Sequence, residues 1–295
     1  MSVAAVRTWA QSGATLRVVW EPDGHESDYS VEQLSAGATA STAEPWDAAS
    51  AVITRASLDD LDDPLALQHW LSGVERYGFA VLTDVPTEDG EVARVAERCS
   101  FVRTTNYGRF FDVRSVVDPT NLAYTPLGLM PHTDNPYRDP VPTLQLLHCL
   151  EATTSGGDNA LVDGLTVAER IRVDDPEAFD ALVATPVEFR YADAETELVT
   201  VQPILECDPW GTVRSVRFNP RSAQPPALGS PRLTAWYRGY LAFARLVQDD
   251  ALHVRFHLEP GELFVVDNRR VLHGRTGFDT TAGSRHLQGC YADID

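Results

Sequence analysis

Residues 129–137 read Leu-Met-Pro-His-Thr-Asp-Asn-Pro-Tyr, and within them His132 and Asp134 stand two apart. In extended chain that spacing sends both side chains off the same face. A neutral imidazole and a carboxylate so placed are two legs of the two-histidine, one-carboxylate arrangement that holds non-haem Fe(II) on one face and leaves other positions open. The third leg has to arrive from a distant strand. The chain offers it in Asp267-Asn-Arg-Arg-Val-Leu-His273-Gly-Arg275, with Arg285 following twelve residues on (285 − 273). The plainer reading, a surface His-Thr-Asp turn and a core His273, leaves that late arginine unexplained.

Composition sets the surroundings of this pattern. With 295 residues, 43% of them hydrophobic and 23% charged, the chain suits one large domain or a main domain with a small appendage. A net charge of −19 and a pI near 4.7 argue against a protein that tracks nucleic-acid phosphates. The first ten residues are interrupted by Arg7 and carry no apolar signal core, and runs such as Leu263-Phe-Val-Val266 are of strand length, too short for a membrane span. Cys99, Cys149, Cys207 and Cys290 are scattered with no Cys-Xaa-Xaa-Cys pair, which favours a reducing compartment and a cytoplasmic location.

Thr15–Trp20 and Ser27–Val31 alternate around Pro22-Asp-Gly24 and read as a hairpin, so 1–34 is expected to form a small β appendage. Residues 35–50, mostly Ala, Ser, Thr and Gly, read as a linker to a body spanning 51–295. Asp63-Pro64 opens a helix with Leu67, Trp70, Leu71 and Val74 at helical spacing, and a strand over 79–83 and a helix over 90–99 follow. Strands are expected at 144–150, 160–163, 186–191, 199–206, 213–218, 253–258, 262–267 and 286–292. Helices are expected near 166–173, 176–184 and 231–248. Late strands around a metal triad, with helices earlier or inserted, predict a mainly β protein with buttressing helices, its core a jelly-roll double sheet.

Several stretches carry a family resemblance: Asn121-Leu-Ala-Tyr124, His132-Thr-Asp134, Leu144-Gln-Leu-Leu-His-Cys149, Gly156-Gly-Asp158, Val162-Asp-Gly164, His273-Gly-Arg275 and Ser284-Arg-His286 through Gly289-Cys-Tyr-Ala-Asp293. From Tyr107 to Tyr291 the chain resembles the γ-butyrobetaine dioxygenase branch of the taurine-dioxygenase-like Fe(II)/2-oxoglutarate oxygenases. Trimethyllysine dioxygenase and the dioxygenase of 2-trimethylaminoethylphosphonate belong to that branch. The resemblance implies Fe(II) on His132, Asp134 and His273, O2 as oxidant, and 2-oxoglutarate as co-substrate held by Arg285 and Leu147. It also implies a cage for a trimethylammonium group from Tyr107, Phe111, Tyr124 and Tyr291, and acid-end contacts from Asn121 and Asn219. Phe111 stands where relatives usually carry Trp. Relatives bind a structural zinc in the N-terminal domain through a cysteine cluster, and this sequence has no cysteine before Cys99, so no zinc site is carried over. The shortened appendage also bears on the homodimer common in the family.

Arg109 and Arg138 are further candidates for a dianionic acid end, while Gln145, His148 and Asp163 read as supporting residues without chemistry of their own. His69, His253 and His257 have no ligand partner at useful spacing. Three functions compete: hydroxylation of a small zwitterionic trimethylammonium carboxylate or phosphonate, the same cofactor chemistry (hydroxylation or desaturation) on another amino acid or natural-product intermediate, and a non-catalytic jelly-roll binding module.

Overall fold

The computed structural model describes residues 5–31, 42–114, 125–227, 229, 231–279, 281 and 283–294; Asn121 and Tyr124 lie outside them. Contacts divide the chain into two units, Met1–Thr42 and Ala43–Asp295.

In the first unit, Ala5–Ser12, Thr15–Glu21 and Glu26–Ser30 form a three-stranded antiparallel sheet in chain order. The last two are the hairpin legible in the sequence, crossed by a double hydrogen bond from Arg17 to Asp28 at 2.6 and 2.7 Å. The strand Ala5–Ser12 was not expected. Its pairing slips between Val6 and Thr8, and such a slip breaks the period-two pattern that reveals a strand.

Eight strands make the core of the second unit: β1 (Phe79–Thr83), β2 (Leu129–His132), β3 (Leu144–Ala152), β4 (Asn159–Asp163), β5 (Val254–Phe256), β6 (Leu263–Asp267), β7 (Val271–Arg275) and β8 (Arg285–Asp293). One sheet runs Arg55–Ser57, β1, β6, β3, β8, Phe101–Arg103, with Phe111–Arg114 also paired to β8; the other runs β5, β4, β7, β2. From β2 onward the chain passes back and forth between the sheets, except at β4 to β5. There it leaves and re-enters the same sheet around the helical insert. This is a jelly roll with buttressing helices.

The larger sheet is buried on both faces, which is why β1 and β6 are unbroken apolar runs. Phe79, Val81, Leu147, Phe264 and Val266 face the second sheet, joining Leu161, Phe256 and Val271. Ala80, Leu82, Leu146, Leu263 and Val265 face outward under α1 (Pro64–Tyr77) and α2 (Glu91–Glu97), meeting Trp70, Val74, Val92 and Val95. Asp63 caps α1 by accepting from the Leu65 amide at 3.0 Å, and Gly78 ends it, so both local signals hold. The insert carries α3 (Gly164–Asp174), α4 (Pro176–Ala184) and α5 (Leu233–Leu246). These pack on Phe189, Ile204, Leu205, Val216 and Phe218. The strand expected over 199–206 is two, Glu197–Gln202 and Leu205–Cys207, because Pro203 between them has no amide to donate.

Residues 43–50 correct the linker expectation. Trp46 is 2% exposed, its amide donates to Asp163 Oδ2 at 3.0 Å and its indole to the Tyr77 carbonyl at 2.6 Å. One buried indole in an alanine-rich segment anchors it to the body. Asp163, the N-cap of α3, also forms a buried ion pair with Arg270 at 2.9 Å, and Arg270 donates onward to the carbonyls of Arg76 and Glu44.

Candidate active site

β2 and β7 are neighbours, and their register sets His132 directly opposite His273. The two imidazoles lie with centroids 4.9 Å apart. This closeness needs Gly274: a Cβ there would stand 2.4 Å from the Leu129 carbonyl oxygen and 2.7 Å from the Pro131 nitrogen, so any side chain would force the strands apart. Asp134 sits just past the end of β2. The chain turns beside it at Asn135, whose φ of 53° is one that Asn tolerates better than most residues. Asp134 Oδ1 comes to 3.3 Å from His132 Nε2, and Oδ2 to 3.6 Å from His273 Nε2. Neighbouring ligands about 2.1 Å from an octahedral ion are themselves about 3 Å apart, so two nitrogens and one oxygen converge here at ligand spacing, all within 4.8 Å of one another. His132 Nδ1 lies 2.9 Å from the Met130 carbonyl, which fixes the proton there and leaves Nε2 free as a donor to a metal.

The carboxylate is held from behind. Gln145 Nε2 and the Tyr291 hydroxyl both donate to Asp134 Oδ2, at 2.7 and 2.8 Å. The Asn268 side chain accepts from the Asp134 amide at 2.8 Å and donates to its carbonyl at 2.9 Å. Burial alone would raise the Asp134 carboxyl, but the hydrogen bonds and charges of His132 and His273 outweigh it and hold the group well below the usual range. Burial lowers His132 against the opposing pull of Asp134. Burial, reinforced by the charge of Asp134, keeps the Tyr291 phenol far above its ordinary value, so it remains a donor. Neutral imidazole and ionised carboxylate are the states a divalent metal requires. The donor set fits Fe(II).

At another side of the same cavity stands Arg285, 7% exposed, with no hydrogen bond or ion pair among the described residues. A buried guanidinium without an anion is costly unless one arrives. Gly157 makes room for it: a Cβ there would meet Arg285 Cδ and Nε at 2.8 Å, and the φ of 73° independently disfavours any side chain. Arg275 and Arg285 both lie against the Phe278 ring, at 5.2 and 5.7 Å from its centroid. Burial, then repulsion from Arg285, pushes Arg275 down to about 10, so it stays charged at neutral pH. Leu147 lines the cavity beside them. A dicarboxylate with one end on a metal and the other on Arg285 suits this half of the site.

The aromatic residues gather on the Asp134 side. Phe111 stacks on Tyr291 at 5.2 Å and lies 6.0 Å from Tyr107, and all three line the cavity. Two aromatics not anticipated join them. Tyr137 lines the cavity and shares a 3.0 Å hydroxyl contact with Tyr107, while Tyr191 packs against both rings. Asn219 corrects its expected role: it does not line the cavity, because its amide is spent donating to the Thr133 carbonyl at 3.1 Å and accepting from the Arg221 amide at 3.2 Å. It braces the ligand loop. Arg109 pairs with Glu97 on the surface, and Arg138 donates to Asn106 and Asn135 at 2.6 and 3.3 Å, so neither is free for a substrate. Gln145 holds Asp134 as described, whereas His148 points to the opposite face of β3, fully buried.

A family model for the taurine catabolism dioxygenases (TauD, TfdA) matches residues 39–291, nearly the whole second unit and all three convergent ligands. The chain belongs to the taurine catabolism dioxygenase family. As a member of that family it is similar to the γ-butyrobetaine dioxygenase of Pseudomonas sp. (strain AK-1), 40% identical over 235 residues, covering 80% of this chain and 61% of the relative. It is also similar to the trimethyllysine dioxygenase of Meyerozyma guilliermondii, 27% identical, covering 96% and 77%. Among solved structures, a taurine dioxygenase from Burkholderia xenovorans superposes with a TM-score of 0.61 at 17% identity, covering 85% and 90%, which shows the shared fold. The chain spans about three-fifths of the length of its Pseudomonas relative. Tyr137 and Arg221 line the cavity and Asn268 braces Asp134 from behind it, and sequence reading gave none of the three a role. Asn268 alone left a trace, its place five residues before His273.

Proposed function

We propose that this protein is an Fe(II)- and 2-oxoglutarate-dependent dioxygenase that hydroxylates an unactivated C–H of a small trimethylammonium-bearing acid. The observation that carries the reading is the convergence on one cavity of three parts: a two-histidine, one-carboxylate group, a buried arginine with no anion of its own, and a patch of stacked aromatic rings. Relatives named for γ-butyrobetaine and trimethyllysine support the substrate class. Bound at His132, Asp134 and His273, Fe(II) with O2 supplies the oxidative decarboxylation of 2-oxoglutarate to succinate and CO2 and the equivalent that turns C–H into C–OH.

The chain's own residues orient and select. Asn268, Gln145 and Tyr291 fix the Asp134 carboxylate. Arg285 presents a planar, permanently charged fork to the far carboxylate of 2-oxoglutarate. Tyr107, Phe111 and Tyr291 offer ring faces to a cation that cannot accept or donate a hydrogen bond, each contributing about 0.5–2 kcal/mol when desolvated. Asn121 and Tyr124 join the substrate contacts in this reading. It takes 1–34 as a β appendage without zinc ligands, and the body as the catalytic domain. No helix among the described residues is long and apolar enough to cross a membrane; the cytoplasmic location rests on the scattered cysteines.

The test is succinate release with γ-butyrobetaine, trimethyllysine, trimethylaminoethylphosphonate and the dimethyl and primary-amine analogue of each. A demethylated ammonium buries an N–H with no acceptor, at a cost of roughly 1–3 kcal/mol, so the dimethyl compounds should react about ten- to a hundredfold less efficiently. Equal reaction of trimethyl and primary amines would make the aromatics mere packing and move the substrate to another class.

A further inference from the structure

Of the partners that the sequence suggested for the acid end of such a substrate, Asn219, Arg109 and Arg138 are engaged elsewhere, and Asn121 lies outside the described residues. Of the cations that line the cavity, Arg275 and Arg285 sit together on Phe278, leaving Arg221 by itself. Its guanidinium has no hydrogen bond or ion pair to any described residue, and it is exposed where the cavity opens. The backbone that carries it is nonetheless fixed. The Arg221 amide is tied to Asn219 Oδ1 at 3.2 Å, Asn219 is tied to the Thr133 carbonyl, and Thr133 stands between His132 and Asp134. The same bracing that spends Asn219 thus sets Arg221 at a defined place beside the metal ligands.

We infer that Arg221 receives the acid group of the substrate, which lies across the metal triad with its ammonium on Tyr107, Phe111 and Tyr291 and its acid on this guanidinium. The inference rests on the proposed function and gives it a direction. Each metal ligand then flanks one subsite. Asp134, bonded to Tyr291, adjoins the cation patch, while His132 adjoins the anion site. His273, two residues from Arg275, adjoins the co-substrate arginines. A single guanidinium matches a carboxylate in paired hydrogen bonds and meets one negative charge. A monoanionic acid is therefore favoured over a phosphonate dianion, and an ester, which presents no charge, is disfavoured.

The experiment compares γ-butyrobetaine with its methyl ester, and with trimethylaminoethylphosphonate, in the wild type and in Arg221→Gln, Arg221→Lys and Arg221→Glu, reading kcat/KM for each compound and the half-saturating 2-oxoglutarate concentration. The wild type should prefer the acid over the ester by roughly ten- to a hundredfold, as expected for a charge-assisted hydrogen bond. That preference should collapse in Arg221→Gln, survive in part in Arg221→Lys and invert in Arg221→Glu, with the 2-oxoglutarate requirement following none of these changes. An acid-to-ester ratio equal in all four proteins overturns the role of Arg221 while leaving the function standing. A ratio that falls only where the 2-oxoglutarate requirement rises assigns Arg221 to the co-substrate and overturns it too. If no trimethylammonium compound, acid or ester, is turned over by the wild type, the proposed function itself has failed.

Discussion

Tyr291 does two separable things, and Tyr291→Phe divides them. Its hydroxyl donates to Asp134 Oδ2 at 2.8 Å, while its ring stacks on Phe111 at 5.2 Å with an interplanar angle of 29°. Phe keeps the ring and removes the donor. A hydrogen bond to a charged acceptor contributes about 1.5–3 kcal/mol, but Gln145 still donates to the same oxygen at 2.7 Å, so the lower end applies. A loss of about 1.5 kcal/mol is roughly a tenfold weaker hold on iron, within the range found when a residue behind a metal ligand is removed. Anaerobic Fe(II) titration in the presence of 2-oxoglutarate, followed by the visible absorbance of the chelate, measures it. Half-saturation by γ-butyrobetaine, taken at saturating iron, should change little in Tyr291→Phe and rise sharply in Tyr291→Leu, which loses ring and hydroxyl together. An unchanged iron affinity in Tyr291→Phe would show that the hydroxyl does not position Asp134. Equal effects of Phe and Leu on substrate would show that the ring does not bind it.

Gly157→Ala places a methyl 2.8 Å from the Arg285 side chain at a φ of 73°, so the 2-oxoglutarate requirement should rise roughly tenfold or more while Fe(II) binding alone is kept; a wild-type requirement would show that Arg285 is not the anchor. Asp163→Ala strands Arg270 in the core and frees the Trp46 amide, which should cost about 3–5 kcal/mol, visible as an earlier chemical unfolding transition followed by tryptophan fluorescence. Burial holds His148 down to about 4. Between about pH 6.5, its unfolded value, and about 4, the unfolded chain binds a proton that the folded one does not. Stability from this group is therefore complete above the upper value and lost as pH falls through the window. His148→Leu should flatten that part of the pH–stability curve, and an identical curve would place the acid sensitivity elsewhere.

What could be read in the sequence was either local or strictly spaced. The Asp63-Pro64 cap and Gly78 stop of α1 depend on a few adjacent residues, and the two-residue step from His132 to Asp134 fixes a shared face before any tertiary contact forms. His273 and Arg285 were legible as a His-Gly pair followed twelve residues on by an arginine, although they stand on strands of different sheets. Side-chain destinations were not. Asn219 and Arg221 are two residues apart, and only packing against Thr133 decides that the first is consumed and the second left over. Tyr137 and Tyr191 reach the aromatic patch from different elements, and nothing local marks them. Composition misled at 43–50, because a single Trp46 outweighs the alanine-rich run around it.

The most direct test of the central claim is the fate of dioxygen. The protein, loaded with Fe(II) and 2-oxoglutarate, is supplied with γ-butyrobetaine under isotopically heavy O2, and the products are weighed by mass spectrometry. The account predicts one heavy oxygen in the succinate, one in a hydroxylated trimethylammonium product, and neither from His132→Ala. Succinate formation that is indifferent to every trimethylammonium acid, with no heavy oxygen carried into any of them, would contradict it.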